Sequence, residues 1–261
     1  MAKNKRKKEP WAYRSRTYRN LVEQAGLVST FFRFRETDLH ILAESDVSKA
    51  AGELAVHYRL QIEHYVEKYP EFGSSLQPLP EDNLASPIIR DMLAAAQIAG
   101  VGPMAAVAGA ISEYVCRGLL DLGKKEVIVE NGGDIFLQRS ERCIIAIFSG
   151  ESPLSNRVGL QLDPVDMPLG ICTSSGTIGH SLSFGTADSV TVLADSAAIA
   201  DAAATRLGNE VGAEVGAEHN ERDGVDRALR AAEKLTEIRG VLVVCGETMG
   251  AVGQVELVPL D

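Results

Sequence analysis

VIVENGGDIFLQ, residues 127–138, is the stretch on which the fold turns. Val127, Ile128 and Val129 lead into Asn131-Gly132-Gly133, and Ile135, Phe136 and Leu137 lead away, so it reads as strand, tight turn, strand. Toward the C-terminus CIIAIFSG (143–150), RVGLQLD (157–163), DSVTVLA (188–194), VLVVCGE (241–247) and QVELVPL (254–260) extend a strand-rich run. Toward the N-terminus, residues 26–43 alternate apolar and polar positions, which predicts two strands joined near Arg35–Asp38.

Helices fill the spaces between these strands. One is predicted from Asp46 or Ser48 to about Lys68, with Ala50, Leu54, Val56, Tyr58, Ile62 and Tyr65 on one side. Residues 70–87, with four prolines, read as a loop. Ser86-Pro87 then opens a buried helix, and Pro103 opens a second that runs to Gly123. Asp195-Ser196 opens AAIADAAATRL, which ends at Gly208, and residues 225–238 form an amphipathic helix after a charged, Gly-rich loop at 209–224. The order predicts an α+β fold, a mixed or antiparallel sheet with packed helices, rather than a strictly alternating βαβ chain. Residues 1–19 read as a basic tail, and residues 20–261 as a single domain or two intertwined subdomains. The Ala- and Gly-rich helices of residues 87–119 have a partner either inside one chain or across a homodimer.

Charge and cysteine usage exclude several classes. Residues 1–19 hold eight Lys or Arg against one acid while the whole chain carries −10, so the body is strongly acidic and disfavours a phosphate backbone. No apolar core of a secretory signal follows Lys8, and Cys116, Cys143, Cys172 and Cys245 are too scattered for a zinc framework, which together point to the cytoplasm. Met92–Ile111 has no charge across 20 residues, but its Ala and Gly content and the Gly100–Pro103 break argue for buried helices over a membrane span.

Three segments can carry chemistry. The Asn131-Gly132-Gly133-Asp134 hairpin sets glycine amides, expected to be uncovered, beside a carboxylate, which suits an anion or a flavin edge. CTSSGTIGHSLSFG (172–185) is dense in hydroxyls and glycine. Thr173, Ser174, Ser175, Gly176 and Thr177 suit a phosphate cradle, and Cys172 is the cysteine to test for reactivity. Asp201 and Thr205, spaced i,i+4, put a carboxylate and a hydroxyl on one helix face, a partial oxygen set for a hard cation such as Mg²⁺.

In this order the three segments resemble the ApbE superfamily, the Mg²⁺-dependent FAD:protein FMN transferases. VENGGDI resembles that family's glycine-glycine-aspartate turn, CTSSGT its threonine-serine-glycine loop, and SVTVLADSAAIADAAAT its strand and alanine-aspartate…threonine helix. AGVGPMAAVAGAISEYV (99–115) resembles the hallmark of a cytoplasmic ApbE-related family of archaea and anaerobic bacteria. The resemblance implies Mg²⁺ at Asp201 and Thr205, and FAD or another flavin nucleotide along Gly132, Gly133, Asp134, Ser174, Ser175 and Gly176. It also implies transfer of FMN to a threonine hydroxyl of an acceptor protein, with AMP leaving. The transferases carry a histidine-isoleucine-aspartate-proline segment where this chain has GHSLSFGTAD, so His180 is only a partial counterpart. No export signal or lipid-attachment cysteine is recognised. The smaller family is also associated with sulfide-dependent homocysteine biosynthesis, for which Cys172 is the candidate residue. An accessory role in that pathway, and a binding module that kept the fold and lost the chemistry, stay open as alternatives.

Overall fold

A computed structural model of the chain describes residues 26–177, 185–212 and 221–260. The strands β1 (Val28–Phe34) and β2 (Thr37–Ala43) are followed by α1 (Ser48–Lys68), α2 (Pro70–Ser74), α3 (Pro87–Ala99) and, after a 3-10 turn, α4 (Val107–Asp121). Six strands follow: β3 (Val127–Asn131), β4 (Asp134–Gln138), β5 (Cys143–Ala146), β6 (Val158–Leu162), β7 (Leu169–Ser174) and β8 (Ser189–Ala194). Then come α5 (Ala197–Glu210), α6 (Glu221–Ala232), β9 (Gly240–Cys245), β10 (Thr248–Gly253) and β11 (Leu257–Pro259).

An antiparallel sheet in the order β1-β2-β3-β4-β7-β8-β9-β10 forms the middle layer, and β11-β6-β5 forms a smaller antiparallel sheet. Side chains alternate across the large sheet. Leu39, Ile41, Val127, Val129, Phe136, Val192 and Val243 face the helices, whereas Leu42, Ile128, Leu137, Ile171, Leu193 and Leu242 pack on Leu160, Leu162 and Ile145 of the small sheet. Strands covered on both faces need apolar residues throughout, which is why VLVVC and SVTVLA read as near-continuous apolar runs.

The α+β expectation holds, and the sheet is antiparallel at every pairing described. The hairpin falls at Gly132-Gly133, with φ of 72° and 106°, both in the left-handed region that glycine tolerates. Residues 70–87 are not wholly loop, because Pro70 opens the short α2 and Phe72 anchors it in the core. The last amphipathic helix starts earlier and ends earlier than predicted, at Glu221 and Ala232. Two strands escaped the sequence reading, β7 and β10. On α1 the deepest residues are Ala51, Gly52, Ala55 and Ile62, with the larger Leu54, Tyr58 and Tyr65 flanking them.

The uncharged stretch around Gly100 forms two helices bent by 107°. Gly100 ends α3 at φ 70°, and a Cβ on Gly102 would fall 1.8 Å from the Ser75 carbonyl oxygen. The small residues of α3 and α4 are buried within one chain, against α5, α1 and the sheet. No single described helix is long and apolar enough to cross a membrane.

Candidate functional site

Close packing of α5 brings the candidate residues together. Ala197, in its first turn, lies so near β7 and α4 that a Cβ on Gly170 would be 2.5 Å from its Cα. One on Gly109 would be 2.2 Å from its carbonyl oxygen. Glycine at both positions lets the helix settle until Asp201 meets the N-terminal turn of α4, where its Oδ2 accepts from the Gly109 amide at 2.9 Å. The hairpin enters from the sheet. Asn131 and Asp134 close the turn as a cross-strand pair, Asn131 Nδ2 donating to the Ala108 carbonyl at 3.2 Å and Asp134 Oδ1 accepting from the Thr173 amide at 3.2 Å.

Asp134 and Asp201 therefore act on one another. Burial, then the Asp201 charge, then Glu130 hold the Asp134 carboxyl well above the usual carboxylate range, against the Thr173 amide and the Cys172 thiol. Burial pushes Asp201 up to about 7, opposed by the Gly109 and Ala108 amides. Neither carboxylate forms an ion pair with a described Lys or Arg. Thr205 lies one turn further along α5 on the Asp201 face, partly exposed. The described residues hold no group of three His, Cys, Asp or Glu able to cage a metal by themselves.

Cys172, the cysteine to test for reactivity, lies deep in the fold. It is a buried strand residue whose thiol donates to the Ala197 carbonyl oxygen at 3.3 Å, beside the Asp134 carboxyl. Burial and then the charges of Asp134 and Asp201 drive it far above the ordinary thiol range, so it stays protonated. His180 lies outside the described residues.

The glycine amides are also less available than expected. Glu130 Oε1 accepts from the Gly133 amide at 2.7 Å, and Gly176 donates to the Ala187 carbonyl at 2.9 Å. Thr177 donates its amide to Ser175 Oγ at 3.1 Å and its hydroxyl to Asp188 Oδ1 at 3.3 Å, while Asp188 Oδ2 accepts from Gly246 N at 2.8 Å. Ser174 ends β7, buried on the helix side, whereas Thr173 faces away and meets the Thr191 hydroxyl at 2.9 Å. Asn131, Asp134, Cys172 and Asp201 thus converge, while Ser175, Gly176 and Thr177 form an adjoining turn that is half-buried at its first two residues and exposed at Thr177.

Sequence reasoning passed over Ala108, Gly109 and Glu113, although an acid in the middle of an apolar helix was a usable signal. Glu113 is buried beneath the start of α5, where Oε2 accepts from Ser196 Oγ at 2.9 Å and Ala197 N at 2.7 Å. Arg117 Nε donates to Oε1 at 2.9 Å and its guanidinium lies 4.9 Å from the Phe136 ring centre.

Comparison with known proteins gives a consistent picture. A family model described as "AbpE bacteria" matches residues 19–257. The UPF0280 protein of Methanococcus aeolicus is 40% identical over 84% of this chain and 88% of its own. The UPF0280 protein of Methanosarcina acetivorans is 38% identical over 87% of each. Among solved structures, Flavin Transferase ApbE from Vibrio cholerae superposes with a TM-score of 0.57 at 12% identity, covering 87% of this chain and 96% of that one. A histidine-to-glycine mutant of the same Vibrio cholerae protein gives 0.52 at 15% identity, covering 88% and 97%. At these identities the likeness shows a shared ApbE fold.

Proposed function

This chain belongs to the AbpE bacteria family, and we propose that it is a flavin-nucleotide enzyme whose site forms around Asp134 and Asp201 and whose reaction is Mg²⁺-assisted FMN transfer from FAD. The observation that carries the reading is two neighbouring inward-facing carboxyl groups, the charge of Asp201 acting on Asp134, neither of them ion-paired with a described Lys or Arg, on a fold shared with a flavin transferase. Two carboxylates and a hydroxyl are hard oxygen donors in too small a number to complete an octahedron, so waters or phosphate oxygens are needed, as Mg²⁺ prefers.

Asp201 and Thr205 would hold the ion, with Asp134 adding negative charge beside them. When bound, Mg²⁺ supplies the positive charge that a pyrophosphate needs to enter an acidic site. Ser174 and Ser175 would offer hydroxyls to the nucleotide, and Thr177 would do so by exchanging its bond to Asp188, since the Gly133, Gly176 and Thr177 amides are bonded within the chain. The Asn131–Asp134 hairpin forms the wall opposite α5. An acceptor protein supplies the hydroxyl that receives FMN. A sulfur-handling role would fall on Cys172, which is protonated and buried.

FAD fluorescence tests the reading. Mg²⁺-dependent quenching is expected with the native protein and at least tenfold weaker binding with Asp201→Ala. No binding of FAD, FMN or ATP at high micromolar concentration, with Mg²⁺ present, would remove it.

A further inference from the structure

Ala197 is the fulcrum of α5. Its amide is taken by Glu113 Oε2 at 2.7 Å, its carbonyl faces the Cys172 sulfur at 3.3 Å, and its backbone lies against Gly170 and Gly109. One turn later, Asp201 Oδ2 receives the Gly109 amide at 2.9 Å. The contacts are reciprocal. Glu113 of α4 covers the first amides of α5, and Asp201 of α5 covers an amide in the first turn of α4, each carboxylate at the positive end of the other helix. Glu113 is one turn from Gly109, and Asp201 is one turn from Ala197, so four residues close a rectangle across the helix crossing.

We propose that Glu113 is a positioning residue that fixes the axial register of α5 and thereby sets Asp201 against Asp134. The functional half of this inference rests on the nucleotide-site reading above. Its structural half does not.

Glu113 reaches this position because Ser112 and Gly109 keep the α4 face small, and Arg117 with its base on Phe136 holds the second carboxylate oxygen. With Oε1 occupied by the guanidinium, Oε2 is left to Ser196, Ala197 and Ala198. Losing that oxygen frees the start of α5 to shift along its axis. Asp201 then leaves Gly109, although nothing near Gly109 has been altered. An ordinary helix cap would loosen only the amides that it covers.

Amide hydrogen exchange separates the two cases, and it needs no ligand. In Glu113→Ala, exchange at Ala197, Ala198 and Gly109 is expected to rise together by about tenfold, with Mg²⁺-dependent FAD binding weakened by a similar factor. Glu113→Gln, which keeps an acceptor oxygen, is expected to restore both to within about threefold of native. Glu113→Asp, one methylene shorter, serves if the alanine variant does not fold, with the same result expected. Faster exchange at Ala197 and Ala198 with Gly109 unchanged would overturn the inference, as would native FAD affinity in a variant that has lost Gly109 protection. If the native protein binds no FAD, the nucleotide-site reading fails while Gly109 still decides whether Glu113 sets the register.

Discussion

Glu113 and the Asp134–Asp201 pair are inward-facing acids at the same helix crossing, and they are treated in opposite ways. Glu113 has an arginine, a serine hydroxyl and helix amides around its two oxygens. Asp134 and Asp201 have a few amides and a thiol, both are held above the usual carboxylate range by burial, and Asp134 carries the burden of the Asp201 charge as well. A compensated buried carboxylate stabilises the chain that holds it, whereas an uncompensated pair costs stability until a proton or a cation arrives. That contrast separates framework from candidate site without any appeal to sequence likeness.

The largest effect that would sharpen the contrast is steric. Gly109→Ala puts a methyl 2.2 Å from the Ala197 carbonyl oxygen and 2.8 Å from Asp201 Cβ, and it is expected to cost about 3 kcal/mol in urea unfolding by prising the two helices apart. Glu113→Ala comes next. It is expected to cost about 2 kcal/mol through the lost cap and charged hydrogen bonds, part of Arg117's interaction surviving in water.

The opposite sign is expected at the pair. Burial pushes Asp201 up to about 7 from its ordinary 3.8, so between those values this carboxyl holds more of its proton in the folded protein than in the unfolded chain. The Asp201 contribution to metal-free stability should then be fully present below about pH 4 and be lost as pH rises through about 7, by a few kcal/mol. Thermal melts of the native protein and Asp201→Asn across that range in a chelating buffer check it, and a difference between the two that does not change with pH would break the contrast. The smallest effect belongs to the exposed turn, where Thr177→Val is expected to change stability by less than about 0.5 kcal/mol while weakening nucleotide binding.

Much of the framework was legible in the residues. Alternation marked β1 and β2, Asn-Gly-Gly marked the hairpin, and Pro87 and Pro103 marked the buried helices. The missed strands share one cause. β7 and β10 contain glycines that look like breakers but serve close packing, Gly170 under Ala197 and Gly250 under Val225 and Leu229. Glycine frees the backbone and also removes a side chain, and a sequence does not say which use is made of it.

The candidate site was legible in parts. The hairpin, Asp201 and the hydroxyl loop could be picked out one by one, but facing carboxylates need two elements far apart in sequence to meet. The availability of an amide was not legible at all. Glu130 folds back on Gly133 within one hairpin, and Ala187 covers Gly176 from the start of the next strand. Those are properties of the folded backbone.

The most direct test of the central claim is the stability of the native protein and Asp201→Asn, measured side by side at pH 8 with and without Mg²⁺. Without metal, the asparagine variant is expected to be the more stable by about 1–2 kcal/mol, because at pH 8 it removes a charge that the folded site disfavours and that acts on Asp134. With Mg²⁺ in excess the native protein is expected to gain and the variant to stay where it was, narrowing or reversing the gap. A native protein that is the more stable without metal, or a gap that Mg²⁺ leaves unchanged, would contradict the claim.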